Sequence, residues 1–195
     1  MKKRILLIQG HPDAGARHLG HILEDAYAEG ALALDHTVRR IQVAQLDFPL
    51  LRSQAEWEQG ELPPKLAEAQ EALRWCEHLV LFFPLWLGDM PAQLKGFLEQ
   101  VMRPGFAFDT HDSSGFSKKG LTGRSARVVV TMGMPGLIYR WYFRAHSVKS
   151  LERNILGFVG FSPVNETLVG NVGNLDAQAV EKWVEKLATL GGLAE

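Results

Sequence analysis

Cysteine is nearly absent: Cys76 is the only one in 195 residues. No intramolecular disulfide and no multi-thiolate metal site can therefore form, as expected of a chain kept in a reducing cytosol. An excess of either charge is missing too. With 21 basic against 22 acidic side chains, no overall field draws in nucleic acid or anionic lipid, and neither partner is favoured. Long apolar runs are also lacking. Met1-Lys2-Lys3-Arg4 followed by Ile5-Leu6-Leu7-Ile8 has the charge order of a signal peptide, but four apolar residues are too few for a signal core or a membrane span. The stretch reads as a first buried strand, and we expect a cytoplasmic protein without a membrane span. There is no internal repeat and no low-complexity segment.

What is present is enough apolar material, 46% of residues, for one sizeable core, and a single domain over residues 1–195 is expected. Five runs have strand character: Arg4 to Gln9, Thr37 to Val43, Leu79 to Phe83, Arg127 to Met132 and Val164 to Val169. Helical spacing lies between them. Leu19, Ile22, Leu23 and Ala26 share a face with Gly30 as the stop; Leu66, Ala69, Leu73 and Cys76 form a second, and Leu94, Leu98 and Val101 a third. Asp176 suits the cap of a last helix with Val180, Trp183, Val184 and Leu187 on one face and Gly191-Gly192 ending it. Strands alternating with helices predict an α/β fold with a doubly wound parallel sheet. Two long stretches, Asp47 to Pro64 and Pro104 to Arg124, read as irregular, the second carrying Phe106, Phe108 and Phe116. Loops of this length are usually functional or covered by a partner.

The run Leu79-Val80-Leu81-Phe82-Phe83 is apolar at every position, as a strand buried on both faces must be. It breaks into Pro84-Leu85-Trp86-Leu87-Gly88-Asp89-Met90-Pro91, which is apolar where a solvated turn should be polar. Right-handed crossovers place this turn at the carboxyl edge of the sheet, beside the turns after strands one and four. Ligands of open α/β sheets bind there. The first turn, Gly10-His11-Pro12-Asp13-Ala14-Gly15-Ala16-Arg17-His18-Leu19, enters a helix whose free N–H groups attract an anion, with Arg17 and His18 adding charge. It is neither a Walker loop nor a Gly-x-Gly-x-x-Gly fingerprint, and an ordinary polar surface turn is the competing reading. The fourth-strand turn, Thr131-Met132-Gly133-Met134-Pro135-Gly136, offers backbone with little side-chain bulk. Together they suit a molecule with a phosphate tail and a flat heteroaromatic head.

The segments Gly10-His11-Pro12, Phe83-Pro84-Leu85-Trp86 through Pro91-Ala92-x-Leu94-Lys95-Gly96-Phe97, Pro104-Gly105-Phe106-Ala107-Phe108, Thr131-Met132-Gly133 and Ile155-Leu156-Gly157-Phe158 with Gly160-Phe161 resemble the flavodoxin-like NAD(P)H:quinone oxidoreductase family, particularly its short bacterial members. The resemblance implies a flavodoxin-like five-stranded sheet of order 2-1-3-4-5. It implies tightly bound FMN or FAD, NAD(P)H as co-substrate, two-electron hydride transfer to a quinone or similar flat acceptor by a ping-pong sequence, and a homodimer. It carries the flavin phosphate onto His11, Arg17, His18 and Leu19, the ring onto Pro84, Leu85, Trp86, Leu87 and Gly88, and the pyrimidine edge onto Thr131, Met132 and Gly133. A tyrosine and a histidine that balance charge on the reduced ring correspond to Tyr139 or Tyr142 with His146. Where many relatives have Ser-Phe-Asn, this chain has Arg17-His18-Leu19-Gly20.

No side-chain nucleophile is required, because the flavin supplies the hydride chemistry and the protein its position. Cys76, on an apolar helix face, reads as core. An electron carrier is the first alternative, but carriers of that kind are strongly acidic. A flavin-binding regulatory module is the second, and turnover with a soluble quinone separates an enzyme from both. A flavin-free phosphatase or receiver domain would need acidic residues where strand one ends in Gln9-Gly10-His11.

Overall fold

The computed structural model describes residues 1–109 and 118–195. In chain order these form β1 (Arg4–Gln9), α1 (Leu19–Ala33), β2 (Thr37–Gln42), α2 (Gln54–Gln59), α3 (Pro64–Trp75), β3 (His78–Pro84), α4 (Ala92–Val101), β4 (Phe108–Asp109), β5 (Lys118–Lys119), β6 (Ser125–Thr131), α5 (Gly136–Trp141), α6 (His146–Ser150), α7 (Gly157–Val159), β7 (Val164–Val169) and α8 (Ala177–Leu193). A π-helical turn, Leu151–Leu156, joins α6 to α7. The main sheet runs β2-β1-β3-β6-β7, every pair parallel. This is the expected order, with β6 and β7 as the fourth and fifth strands.

Alternate side chains of the central strands enter two separate cores, as a period of two requires. Leu6, Ile8, Leu79, Leu81, Val128 and Val130 face α3, α4 and the helical stretch 146–159. Ile5, Leu7, Val80, Phe82 and Val129 face α1 and α8. All seven positions of β3 are buried, which is why its sequence shows no alternation. The register sets Gln9 opposite Phe82 and Pro84 opposite Thr131, so the three strands end nearly level and their turns meet.

Several sequence expectations need correction. Gly30 does not stop α1, and Gly191-Gly192 do not end α8. A Cβ on Gly30 would sit 1.9 Å from the Ala188 carbonyl oxygen, and one on Gly191 would sit 2.0 Å from that of Tyr27. These glycines let α1 and α8 touch backbone to backbone. Ile22 points to solvent rather than into the core. The stretch from Asp47 holds α2, capped by Ser53 accepting from the Glu56 N–H at 3.1 Å. The stretch from Pro104 holds the β4–β5 ribbon. Phe108 is buried, 4.9 Å from Phe158 and 5.7 Å from Trp57 between ring centroids. Phe106 lies under the Arg74 guanidinium, 4.8 Å away. Both pack against their own chain, while Phe116 falls outside the described residues. Asp176 caps α8 as expected, accepting from the Ala179 N–H at 2.7 Å, and Cys76 is buried.

Candidate functional site at the carboxyl edge of the sheet

The first turn is organised by its own polar side chains. Gln9, buried at the end of β1, accepts from the His11 N–H at 3.1 Å, and the Asp13 N–H donates to His11 Nδ1 at 3.1 Å. The Asp13 carboxylate accepts from the Gly15 N–H at 2.8 Å and meets His18 Nε2 at 2.8 Å. His18, at the start of α1, stacks on His11 with ring centroids 3.8 Å apart and planes 14° from parallel. His21 completes a three-imidazole group at 5.6 Å from His11 and 5.9 Å from His18, its Nδ1 accepting from the His18 N–H at 3.1 Å. Burial holds His11 below the usual imidazole range, and the neighbouring His18 and His21 charges push it the same way. Burial, then His18, lowers His21 too. His11 and His21 are thus weak bases whose protonated forms an arriving anion would favour.

Arg17 reaches Asp25, which it shares with Arg40. Beneath them the buried Glu24 carboxylate accepts from Gln9 at 3.3 Å and from Gln42 at 3.0 Å, its pKa raised by burial. The two cations expected at the phosphate position therefore each carry a carboxylate partner in this chain, Asp13 for His18 and Asp25 for Arg17. Asp13, His21 and Glu24 were missed in sequence; only the three-residue spacing of His18 and His21 signalled any of them. The backbone N–H groups of Ala16, Arg17 and Leu19 have no acceptor among the described residues. They are the free donors that an anion at a helix start requires.

The third turn is a two-residue hairpin. Trp86 N–H donates to the Asp89 carbonyl at 2.9 Å and Asp89 N–H returns to Trp86 at 3.0 Å, with Leu87 at φ 49° and Gly88 at φ 82°. Two left-handed residues are what this turn needs, and leucine is a costly choice for one of them. Leu87 is fully exposed and Trp86 is half exposed. The Trp86 ring meets His11 edge-on at 5.7 Å, which joins the third turn to the first. Leu85 N–H donates to the Thr131 carbonyl at 2.8 Å, tying the third turn to the fourth. Pro84, Thr131 and Met132 are buried at the strand ends, while Gly133 is exposed. A Cβ on Gly133 or Gly88 would meet nothing within 4 Å. Packing within the chain does not demand a glycine at 133, and its bare backbone leaves clearance beside the turns.

Tyr139 and His146 are not brought together as a polar pair. The Tyr139 hydroxyl is buried and lies 2.6 Å from the Ser147 hydroxyl, while His146 is exposed. Tyr139 fastens the start of α6, and Tyr142 is exposed on the surface.

A family model for the flavodoxin-like fold matches residues 3–190, so the chain belongs to that family. Among individual proteins, it is similar to rat NAD(P)H dehydrogenase [quinone] 1, at 27% identity over 149 residues, 72% of this chain and 53% of that protein. The chain spans little more than half the length of the first mammalian and fungal relatives that it matches. In structure it is similar to an NAD(P)H:quinone oxidoreductase from Methanothermobacter marburgensis (TM-score 0.82, 22% identity, 98% of this chain and 96% of that one). It is also similar to an FMN-dependent NADH-azoreductase from Bacillus anthracis in complex with FMN (TM-score 0.74, 21% identity, 99% and 100%).

Proposed function

We propose that this chain is an NAD(P)H-dependent oxidoreductase that holds FMN at the carboxyl edge of its sheet and reduces a quinone or similar flat acceptor. The observation that carries the reading is the meeting of an anion-ready helix start with two open backbone positions: the free N–H groups of Ala16, Arg17 and Leu19 lie in the first turn, which His11 and Trp86 join to the third turn at Gly88 and the Leu85–Thr131 bond joins on to the fourth turn at Gly133. The names of relatives support FMN rather than FAD. The flavin, when bound, accepts a hydride and delivers two electrons onward.

The chain's own part is positioning. His11, Arg17, His18 and Leu19 hold the phosphate, and His18 exchanges its Asp13 contact for the anion. Pro84, Leu85, Trp86, Leu87 and Gly88 form the surface for the ring, and Thr131, Met132 and Gly133 meet its polar edge through backbone groups. Trp86 also walls the slot above, where donor and acceptor compete for one apolar face, which makes the kinetics ping-pong. Reaction at one flat face favours closure by a second copy of the chain. Leu87 and the groove walled by Ile155 and Phe158 are apolar surfaces beside the slot that suit such a contact, so we propose a homodimer.

The test is an absorbance spectrum of the purified protein, chromatography of the released flavin, and NAD(P)H oxidation with a soluble quinone. Parallel double-reciprocal lines support the single slot. A colourless protein that takes up no FMN at micromolar concentration refutes the reading, and a flavoprotein without turnover assigns it to the carriers or regulators.

A further inference from the structure

The balanced net charge hides one local surface. Directly after the fourth-strand turn, Leu137, Trp141 and Tyr142 are 73%, 77% and 80% exposed, with Ile138 and Phe143 beside them about half exposed. Tyr142 and Phe143 pack edge to face at 5.0 Å, so the aromatics form a patch rather than scattered contacts. Five large apolar side chains within seven residues exceed what an ordinary soluble surface shows. Cations adjoin them. Arg140 is paired with Glu166, but Arg144, Lys149 and Arg153 are exposed and make no ion pair among the described residues. Lys149 follows His146 by three residues on α6, and Arg153 continues the cationic stripe in the π-helical turn beyond it. Between residues 136 and 153 the only acidic side chain is Glu152. Arg144 and Ala145 both hold left-handed backbone, at φ 54° and 48°, a strained corner that sets the aromatic segment off from the helix behind it.

We infer that this segment docks the protein on an anionic lipid surface. Tryptophan, tyrosine and phenylalanine flanked by unpaired cations is the composition that lies at a membrane interface, the rings at headgroup level and the cations against anionic lipid. Charge complementarity selects lipid over a second copy, because a two-fold contact would set the cationic stripe against itself with one acid to offset it. The location gives docking a use. A groove lined by Trp86 and Leu87 on one side and by Ser147, Ser150 and Leu151 on the other begins where the patch ends, so docking would hold the protein beside a membrane-dissolved quinone, near the mouth of the proposed acceptor slot. Docking itself does not depend on that reading, and it is measured without turnover.

The experiment is co-sedimentation of the full chain with phosphatidylcholine vesicles, with and without about one third phosphatidylglycerol. Binding is expected on the anionic vesicles only, and it should weaken as salt is raised. Each cation near such a surface strengthens binding about fivefold, so Arg144→Glu with Lys149→Glu should weaken it by more than tenfold. Trp141→Ser with Phe143→Ser should do the same, with the thermal transition and the turnover of a soluble quinone unchanged. If the aromatic variant fails to fold, the charge variant, altered only at exposed positions, decides alone. Equal binding to neutral vesicles, no binding at low salt, or undiminished binding by the charge variant overturns the inference. A native dimer that ignores vesicles and dissociates on Trp141→Ser also overturns it, and assigns the patch to self-association.

Discussion

Lowering the pH should tighten FMN binding, because two imidazoles at the candidate phosphate position, those of His11 and His21, are weak bases in the free protein. His11 and His21 are lowered first by burial and then by neighbouring imidazole charge, so at neutral pH both rings are mainly uncharged. The other charges facing them are His18, Asp13, Arg17 and Asp25. A phosphate brought against the free N–H groups at the start of α1 favours the protonated form of whichever ring it meets. Each proton taken up on binding makes the affinity change tenfold per pH unit, equivalent to about 1.4 kcal/mol. A phosphate monoester's second ionisation near pH 6 works against this by removing ligand charge, so the useful window is about pH 6.5 to 7.5, where FMN affinity should rise about tenfold as pH falls. Titration calorimetry at pH 7 in two buffers of different ionisation enthalpy reads the proton directly, since the heats differ by the number taken up. Riboflavin, lacking the phosphate, should show no difference, and His11→Asn with His21→Asn should abolish it for FMN. Equal heats in both buffers, or an unchanged pH slope in the double variant, would falsify the placement of the phosphate among these histidines.

Gly133→Val should leave the free protein's stability within about 0.5 kcal/mol, because its Cβ meets no atom of the chain within 4 Å, yet weaken FMN binding at least tenfold; unchanged affinity in a fluorescence titration would remove the fourth turn from the site. Trp86→Ala should raise the apparent Michaelis constant for a flat quinone several-fold more than that for NAD(P)H, the loss of aromatic contact being on the order of 1 kcal/mol. An equal effect on both in steady-state assays would deny Trp86 a part in the acceptor slot. His78 is buried and held down to about 3, so the unfolded chain binds its proton first. Stability attributable to this residue is present above about pH 6.5 and is lost as pH falls toward 3, at roughly 1.4 kcal/mol per unit. Urea unfolding at a series of pH values should show that slope, and His78→Leu should flatten it.

The strands and their class were legible because they depend on local pattern. Continuous apolarity in residues 79–83 is the mark of burial on both faces, and Asp176 three residues before a free N–H is a cap whatever lies around it. The meeting of the three turns was legible too, since crossover handedness follows from chain chirality. Partner choice was not. Gly30 and Gly191 read as helix stops because the reason for them, a neighbouring helix at backbone contact, lies more than 150 residues away in the chain. Phe106 and Phe108 read as loop aromatics without a partner in their own chain because Arg74, Trp57 and Phe158 come to them only on folding. Arg17 and His18 read as free cations because Asp25 and Asp13 become their partners only when the turn closes and α1 forms. Tyr139 had no visible partner in sequence because Ser147 meets its hydroxyl only when α6 forms. Periodicity and capping are properties of neighbours in sequence, which the chain carries before it folds; which charge meets which carboxylate, and which ring stays exposed, is settled only by the packing of segments brought together in space.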